Sequence, residues 1–361
     1  MINTIKKTAP NLSVGADKEQ SPNFSNNIIA SNTQNINSLS TISMTELLDN
    51  VYPPRIPIIE NLLYGGTYLF VGAPKVGKSF FIGLLAHHVS TGTDLWGNKV
   101  NQGTVLYLAL EDNYSRLQER FSKMFGTDSN DNLYFTTLSK NIGHGLETQL
   151  ELFLKEHCHT KLIIIDTLQK VRESTVDGFS YANDYDIVTK LKNFSDKYNI
   201  CILIVHHTRK QSSSDSFDTI SGSNGLLGAA DGAFVLKKER RTSDKAFLDI
   251  SGRDQQDQKL HLEFDRNSLC WQLIKNETEI IKQDIDPILK NISKVVNDAS
   301  PIWEGTSTAL LEIIGEKNLL PNQLTRKLNV NVETLLREFN IIYENYRTHD
   351  GKIIKLSMQN I

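Results

Sequence analysis

The chain is short of cysteine. Three residues, Cys158, Cys201 and Cys270, are spread over 361 positions with no C-x-x-C pair. That spacing excludes a disulfide framework and a zinc ribbon, and it suits a reducing cytosol. Long apolar runs are also missing. None approaches the ~18 residues that a membrane-spanning helix requires, and the N-terminus lacks the apolar core of a signal peptide. The expected location is cytoplasmic, with no membrane partner. Charge of one sign is not in excess either: 39 Lys and Arg stand against 42 Asp and Glu, a net charge of −3. Any nucleic-acid contact must therefore come from local basic loops rather than from the chain as a polycation. The histidines are not set as a metal site. His87-His88 falls inside a helical pattern, and His157-Cys158-His159 is too close-set to fill a coordination sphere.

What is present is ordinary for a soluble globular protein, with 39% hydrophobic and 22% charged residues. The length suits one large domain plus a small one. Residues 1–42 are rich in Asn, Ser, Thr and Gln and poor in large apolar side chains. Such a stretch cannot bury enough surface to offset its ordering entropy, so it reads as a disordered tail or an arm that docks on a neighbour. Order is expected from Met44–Leu48, a short helix.

From there apolar strands alternate with helices. Strands are expected at Tyr68–Val71, Val105–Leu110, Leu162–Asp166 and Ile200–Val205, with helices at 78–91, 113–125, 145–157 and 181–197. Nearly continuous apolar strands separated by helices predict an α/β fold with a mostly parallel sheet covered on both faces. After position 232, Ala233–Lys237, Ala246–Ile250 and Leu260–Phe264 read as antiparallel strands extending one edge. This sets an ATPase-type domain at 43–275. Residues 276–299 read as a linker helix. Residues 300–361 give helices at 307–314, 321–328 and 332–339, then strands at 341–347 and 352–358 joined by His349-Asp350-Gly351. Asp-Gly is a strong hairpin signal, and three helices followed by a hairpin is a winged-helix layout.

One motif dominates the chemistry. Gly72-Ala73-Pro74-Lys75-Val76-Gly77-Lys78-Ser79 fits G-x-x-x-x-G-K-[ST], the phosphate-binding loop of ATP- and GTP-using proteins. Successive backbone N–H groups can curl around a phosphate. Lys78 can reach the β/γ-phosphates, and the Ser79 hydroxyl can sit on Mg2+. The following helix, beginning with Phe80, points its positive end at the same anion. The predicted strand before the loop and helix after it supply the context that the motif requires.

Other polar residues close strands. Lys161–Asp166 is an apolar strand ending in Asp166, placed to hold a water on Mg2+ at the end of the strand neighbouring the loop strand. A turn carboxylate closing a buried strand would read the same way. Val105–Leu110 is followed by Glu111-Asp112. Glu111 can polarise an attacking water, while Asp112 can cap the helix that begins near Asn113. Ile204-Val205 leads into His206-His207-Thr208-Arg209-Lys210, where a polar side chain can sense the γ-phosphate.

In this order, with Ser221-Gly222-Ser223 and Gly252-Arg253-Asp254 following, the motifs resemble the RecA-like ATPases of plasmids, phages and mobile elements, in particular the RepA kind of hexameric replicative helicase. The resemblance covers roughly residues 44–275. It implies an ATP- and Mg2+-dependent DNA helicase working in replication. Gly72, Pro74, Lys75, Gly77, Lys78, Ser79 and Phe80 would hold nucleotide, and Ser79 and Asp166 would hold metal. Glu111 would activate water, and His207 would sense the γ-phosphate. Arg253 falls where the family places an arginine finger that reaches the next subunit's site; an ion pair with Asp254 or Asp257 is the alternative. DnaB-type helicases also carry a Lys two positions earlier, where this chain has Ser251. A trans-acting arginine implies a homo-oligomer, a hexamer by the resemblance. Ring geometry would put two loops on single-stranded DNA, one with Lys170 and Arg172 and one with Arg209 and Lys210. Across 300–361, seven Lys and Arg face seven Asp and Glu, which leaves the small domain open to DNA or to protein partners, replication proteins among them. A loader or initiator that uses ATP as a switch, and a recombination-type filament ATPase, are the competing readings.

Overall fold

The computed structural model describes residues 39, 41–54, 56–172, 181–208, 216–220, 224–253, 255–279, 284–349 and 351–359. Among the described residues the first element is the helix α1, Met44–Asp49. Its start is fixed by a reciprocal cap: Glu46 N donates to Ser43 Oγ, and Ser43 N donates to the Glu46 carboxylate at 2.7 Å.

The main sheet has nine strands. They are β1 (Gly66–Gly72), β2 (Thr104–Ala109), β3 (Leu133–Thr136), β4 (Thr160–Asp166), β5 (Cys201–His207), β6 (Gly232–Lys238), β7 (Lys245–Gly252), β8 (Gln255–Asp265) and β9 (Cys270–Asn276). They lie in the order β3-β2-β4-β5-β1-β6-β7-β8-β9. β6 runs parallel to β1, with Tyr68 opposite Gly232 and Gly72 opposite Leu236. The antiparallel edge therefore begins only at β7, one strand later than the sequence pattern suggests. The 24 residues between β5 and β6 include the helix α7 (Asn224–Ala229) and provide the crossover that a parallel neighbour needs.

Helices cover both faces. α2 (Lys78–Thr91) and α3 (Tyr114–Phe125) lie on one side, and α4 (Leu146–Glu156), the single turn α5 (Leu168–Val171), α6 (Tyr181–Tyr198) and α7 lie on the other. Alternate strand residues split between the two cores. Phe70, Tyr107, Ile164 and Val205 face α2, whereas Leu69, Val71, Leu108, Ile165 and Ile204 face α6. This two-sided burial is why the strands read as unbroken apolar runs.

β3 and β9 were not legible as strands. β3 is four half-buried residues, and β9 is an edge whose Gln272, Lys275 and Asn276 interrupt the apolar pattern. The helix expected across 276–299 is a six-residue helix, α8 (Pro287–Ile292). Asp286 caps it by accepting from Ile288 N. Its Leu289 and Ile292 are buried in a third core, together with the last part of the chain. That part contains β10 (Ile302–Gly305), α9 (Ser307–Ile314), α10 (Pro321–Val330), α11 (Val332–Phe339), β11 (Ile341–Thr348) and β12 (Gly351–Met358). The expected hairpin is there, and β10 joins it as a third strand in the order β10-β12-β11. Asn329 ties this core together. Its Oδ1 accepts from Tyr343 Oη and Asn345 Nδ2, both at 2.7 Å, and its Nδ2 donates to Leu48 O.

Candidate active site

Strand register brings the candidate residues to one edge of the sheet. Gly72 on β1 lies opposite His207 on β5, and Ala109 on β2 lies opposite Asp166 on β4. β4 is not the neighbour of β1, contrary to the sequence expectation, because β5 lies between them. α2 closes that gap: Ser79 Oγ, in its first turn, is 3.5 Å from Asp166 Oδ2.

The loop itself needs its glycine. Gly77 has φ +105°, and a Cβ there would stand 2.9 Å from the Trp271 ring. Trp271 Nε1 donates to Gly77 O at 3.1 Å, which fixes the loop against β9. Lys75 also has positive φ, at 63°. Pro74 and Lys75 are exposed, and Ser79 and Phe80 are half-buried. The Phe80 ring packs on Phe264 and has the Arg120 guanidinium 5.6 Å from its centroid.

Lys78 is buried. Its ammonium donates to Gly72 O at 2.8 Å and Ala73 O at 3.0 Å, and lies 3.1 Å from His207 Nδ1. Burial pushes its pKa down to about 8, against a partial pull upward from Asp166 and Glu111. Burial first and the Lys78 charge second hold His207 below the ordinary imidazole range. Neutral His207 can thus accept from Lys78. Asp166 is 8% exposed, and burial raises its pKa more than the hydrogen bond from Tyr107 lowers it. Glu111 is exposed, and Thr167 Oγ1 donates to its carboxylate at 3.2 Å. Asp112 does not cap α3. Asn113 does, accepting from Arg116 N, while Asp112 pairs with Arg120 at 2.7 Å and Arg116 at 3.4 Å.

Arg253 does not join this cluster. Gly252 pairs with Gly232, four residues before the β6 position opposite Gly72, so Arg253 stands at the opposite edge of the sheet, about 13 Å away along the strands. Its Nη2 donates to Gly228 O at 2.9 Å, and its Nη1 is 3.9 Å from Asp231. Its side chain is 56% exposed. Of the DNA candidates, Lys170 is exposed on α5 and Arg172 is half-buried just after it. Arg209 and Lys210 lie outside the described residues. A cleft of about 810 Å3 at the far end of α2, lined in part by His87, Thr91, Phe121 and Phe125, includes none of these side chains.

The donor set fits a magnesium nucleotide. Lys78 is a buried cation with neutral oxygen and nitrogen partners, which an anion would complement. A hydroxyl and a carboxylate on one side of it are the hard oxygen ligands that Mg2+ takes together with phosphates. Sequence reasoning missed Tyr107, Thr167 and Trp271. Tyr107 lies inside a strand that was recognised, but its approach to Asp166 needs β2 to pair with β4. Thr167 lies just past β4, and no local pattern places Trp271 against a loop nearly 200 positions away.

A family model described as an AAA domain matches residues 35–213, just under half of the chain. The match spans Lys78, Glu111, Asp166 and His207 and ends before Arg253. No curated protein matches the sequence at a significant level. Similar solved structures include an isolated ATPase domain, at 13% identity and a TM-score of 0.49, covering 58% of this chain and 85% of that one. Another is a DnaB-like replicative helicase, from a structure of it and its interactions with primase. It is at 13% identity and a TM-score of 0.48, covering 57% of this chain and 58% of that one.

Proposed function

We propose that the chain is an ATP hydrolase working at subunit interfaces of a ring, hexameric by resemblance, that moves on single-stranded DNA as a replicative helicase of a plasmid, phage or other mobile element. The observation that carries the reading is the convergence of Lys78, Ser79, Asp166, Glu111 and His207 at one sheet edge. In this reading Lys78 neutralises the β/γ-phosphates and the N-terminus of α2 supports them. Ser79 and Asp166 would hold Mg2+, which would supply positive charge against the phosphates when bound. Glu111 takes the proton of the attacking water. His207, bonded to Lys78, registers loss of the γ-phosphate and passes it into the segment after Thr208.

Arg253 supplies the transition-state cation in trans. Its position at the far edge of its own sheet supports a role towards a neighbour rather than towards its own nucleotide. A replication initiator or loader that uses ATP only to switch would not need an exposed carboxylate such as Glu111, so turnover is the favoured reading.

The C-terminal winged-helix module is proposed to dock on protein or on a neighbouring subunit rather than to grip DNA. Four of its cations already have acids. Arg326 meets Asp49, Lys327 meets Asp286, Arg337 meets Glu333, and Lys355 meets Glu344. Cations engaged in this way have less to gain from phosphates.

The test is hydrolysis by the full chain with and without single-stranded DNA, for wild type, Lys78→Ala and Arg253→Ala. DNA-stimulated turnover, loss of it in each variant with assembly intact, and its partial return when the two variants are mixed are the expected results. Absence of DNA stimulation in the wild type together with no strand displacement on a forked duplex overturns the helicase reading.

A further inference from the structure

Tyr107 lies in the middle of the site edge, yet none of the roles above uses it. It is on β2, two residues before Ala109, and Ala109 is the register partner of Asp166. Tyr107 and Asp166 therefore project to the same face of the sheet, offset by about 6.6 Å along the strands. A tyrosine spans that offset and a shorter hydroxyl side chain does not. Its hydroxyl donates to Asp166 Oδ2 at 2.9 Å, and the residue is only 1% exposed. The same carboxylate oxygen is the one 3.5 Å from Ser79 Oγ.

Apolar packing alone does not account for the hydroxyl. The ring packs on Phe135, with centroids 5.8 Å apart, and a phenylalanine would make that contact equally well. Burying a phenol against a carboxylate is costly unless the hydrogen bond is made, and here it is charge-assisted. The positive field of Arg120, itself tied to Asp112 at 2.7 Å, acts on both Tyr107 and Asp166. Asp166 is thus held from below by a rigid donor, with one oxygen committed to the β2 side.

We propose that Tyr107 is a positioning residue for the metal: its hydroxyl fixes the Asp166 carboxylate in the orientation that faces Ser79 and so sets how much Mg2+ the site needs. The inference rests on the magnesium nucleotide site proposed above. Partners that orient ligating carboxylates commonly contribute 10- to 100-fold to metal affinity. For Tyr107→Phe the expectation is that the Mg2+ concentration for half-maximal nucleotide binding rises by about 10-fold. Affinity for nucleotide in EDTA should stay the same.

The experiment uses the full chain and a fluorescent ADP, titrated with Mg2+ and separately in EDTA, with the thermal unfolding midpoint measured alongside. A raised Mg2+ midpoint with unchanged EDTA affinity supports the proposal. An unchanged Mg2+ midpoint overturns it, and so does an equal loss of affinity with and without Mg2+, which would mark a packing role. If the wild type itself binds no nucleotide, or binds it without regard to Mg2+, the proposed function fails first and separately. The pair Asp166→Asn and Asp166→Asn/Tyr107→Phe guards against misfolding, since the amide removes the buried carboxylate that Phe would leave unpaired. There Tyr107→Phe should have no further effect on the Mg2+ midpoint, and a further shift refutes action through Asp166.

Discussion

Replacing Glu111 by Gln separates binding from chemistry at this site. The carboxylate is exposed and accepts one hydrogen bond, from Thr167 Oγ1 at 3.2 Å. Gln keeps an oxygen at that position, so Thr167 retains its partner and the β2 and β4 ends keep their spacing. No buried charge is created or removed. The substitution is therefore expected to leave the unfolding free energy within about 0.5 kcal/mol of wild type, as for other surface changes. It also leaves Lys78, Ser79 and Asp166 untouched, so nucleotide affinity should hold. On the role proposed for Glu111, what is lost is the proton acceptor, a contribution of about 10²- to 10⁴-fold in rate, or about 2.7–5.4 kcal/mol of barrier. Single-turnover hydrolysis of pre-bound ATP, with nucleotide affinity measured on the same preparation, reads both quantities. Hydrolysis at the wild-type rate would refute the role given to Glu111. A fall in affinity as large as the fall in rate would show that Glu111 positions nucleotide instead.

Three further outcomes are expected. Gly77→Ala forces a side chain into φ +105° and to 2.9 Å from Trp271, so it should cost about 2 kcal/mol or more in chemical denaturation and abolish nucleotide binding; a neutral result would mean that the loop is not held as described. For Lys78, burial moves the pKa from the ordinary 10.5 down to about 8. Between those values the unfolded chain keeps a proton that the native chain has released, so this group makes nucleotide-free stability rise with pH through that window, by at most about 1.4 kcal/mol per unit. Lys78→Met should flatten the rise relative to wild type, and identical slopes would refute the burial argument. Asn329→Ala takes away the acceptor of Tyr343 Oη and the donor to Leu48 O, and leaves Asn345 Nδ2 with only its 3.0 Å bond to Tyr343 Oη; a loss of about 1–3 kcal/mol in urea unfolding is expected, and a change below about 0.5 kcal/mol would show that water replaces the network.

Much of this molecule was legible because its strands are buried on both faces. Leu162–Ile165 and Cys201–Val205 are wholly buried, so an unbroken apolar run ending in Asp166 or His207 announced both a strand and the polar residue at its end. The phosphate loop was legible for a similar reason, since Gly72, Gly77, Lys78 and Ser79 fall within eight successive positions and their chemistry is local. What sequence did not reveal depends on distant pairing. That β5 separates β4 from β1, and that β6 is parallel rather than antiparallel, are matters of sheet order, which no local pattern encodes. Trp271 against Gly77, and Tyr107 against Asp166, arise only once that order exists. The helix expected over 276–299 failed for the opposite reason. Its apolar residues Leu289 and Ile292 were present, but Asp286 and Pro287 start the helix late and it closes at Ser293 after six residues, well before the turn through Asn297 and Ser300.

The two edges of the sheet constrain how the site can work. Residues held at the ends of β1, β2, β4 and β5 meet around Lys78, whereas Arg253 leaves β7 at the other end of the same sheet. A guanidinium there, about 13 Å from the loop along the strands, is anchored by Gly228 O and approached by Asp231, which also accepts from Thr67 N and pairs with Lys192. No side-chain rotation carries it around β6 to its own Lys78. If Arg253 contributes to hydrolysis at all, it must do so on a second copy. The rate of the isolated subunit would then be independent of Arg253, and the rate of the assembly would fall with the fraction of subunits that lack it. Arg253→Ala titrated into wild type at fixed total protein gives that dependence directly. A decline in proportion to the variant fraction, with the monomeric rate unmoved, is the signature of a shared site. An effect on dilute monomer would place Arg253 in folding or in its own subunit's chemistry and remove the argument for a ring.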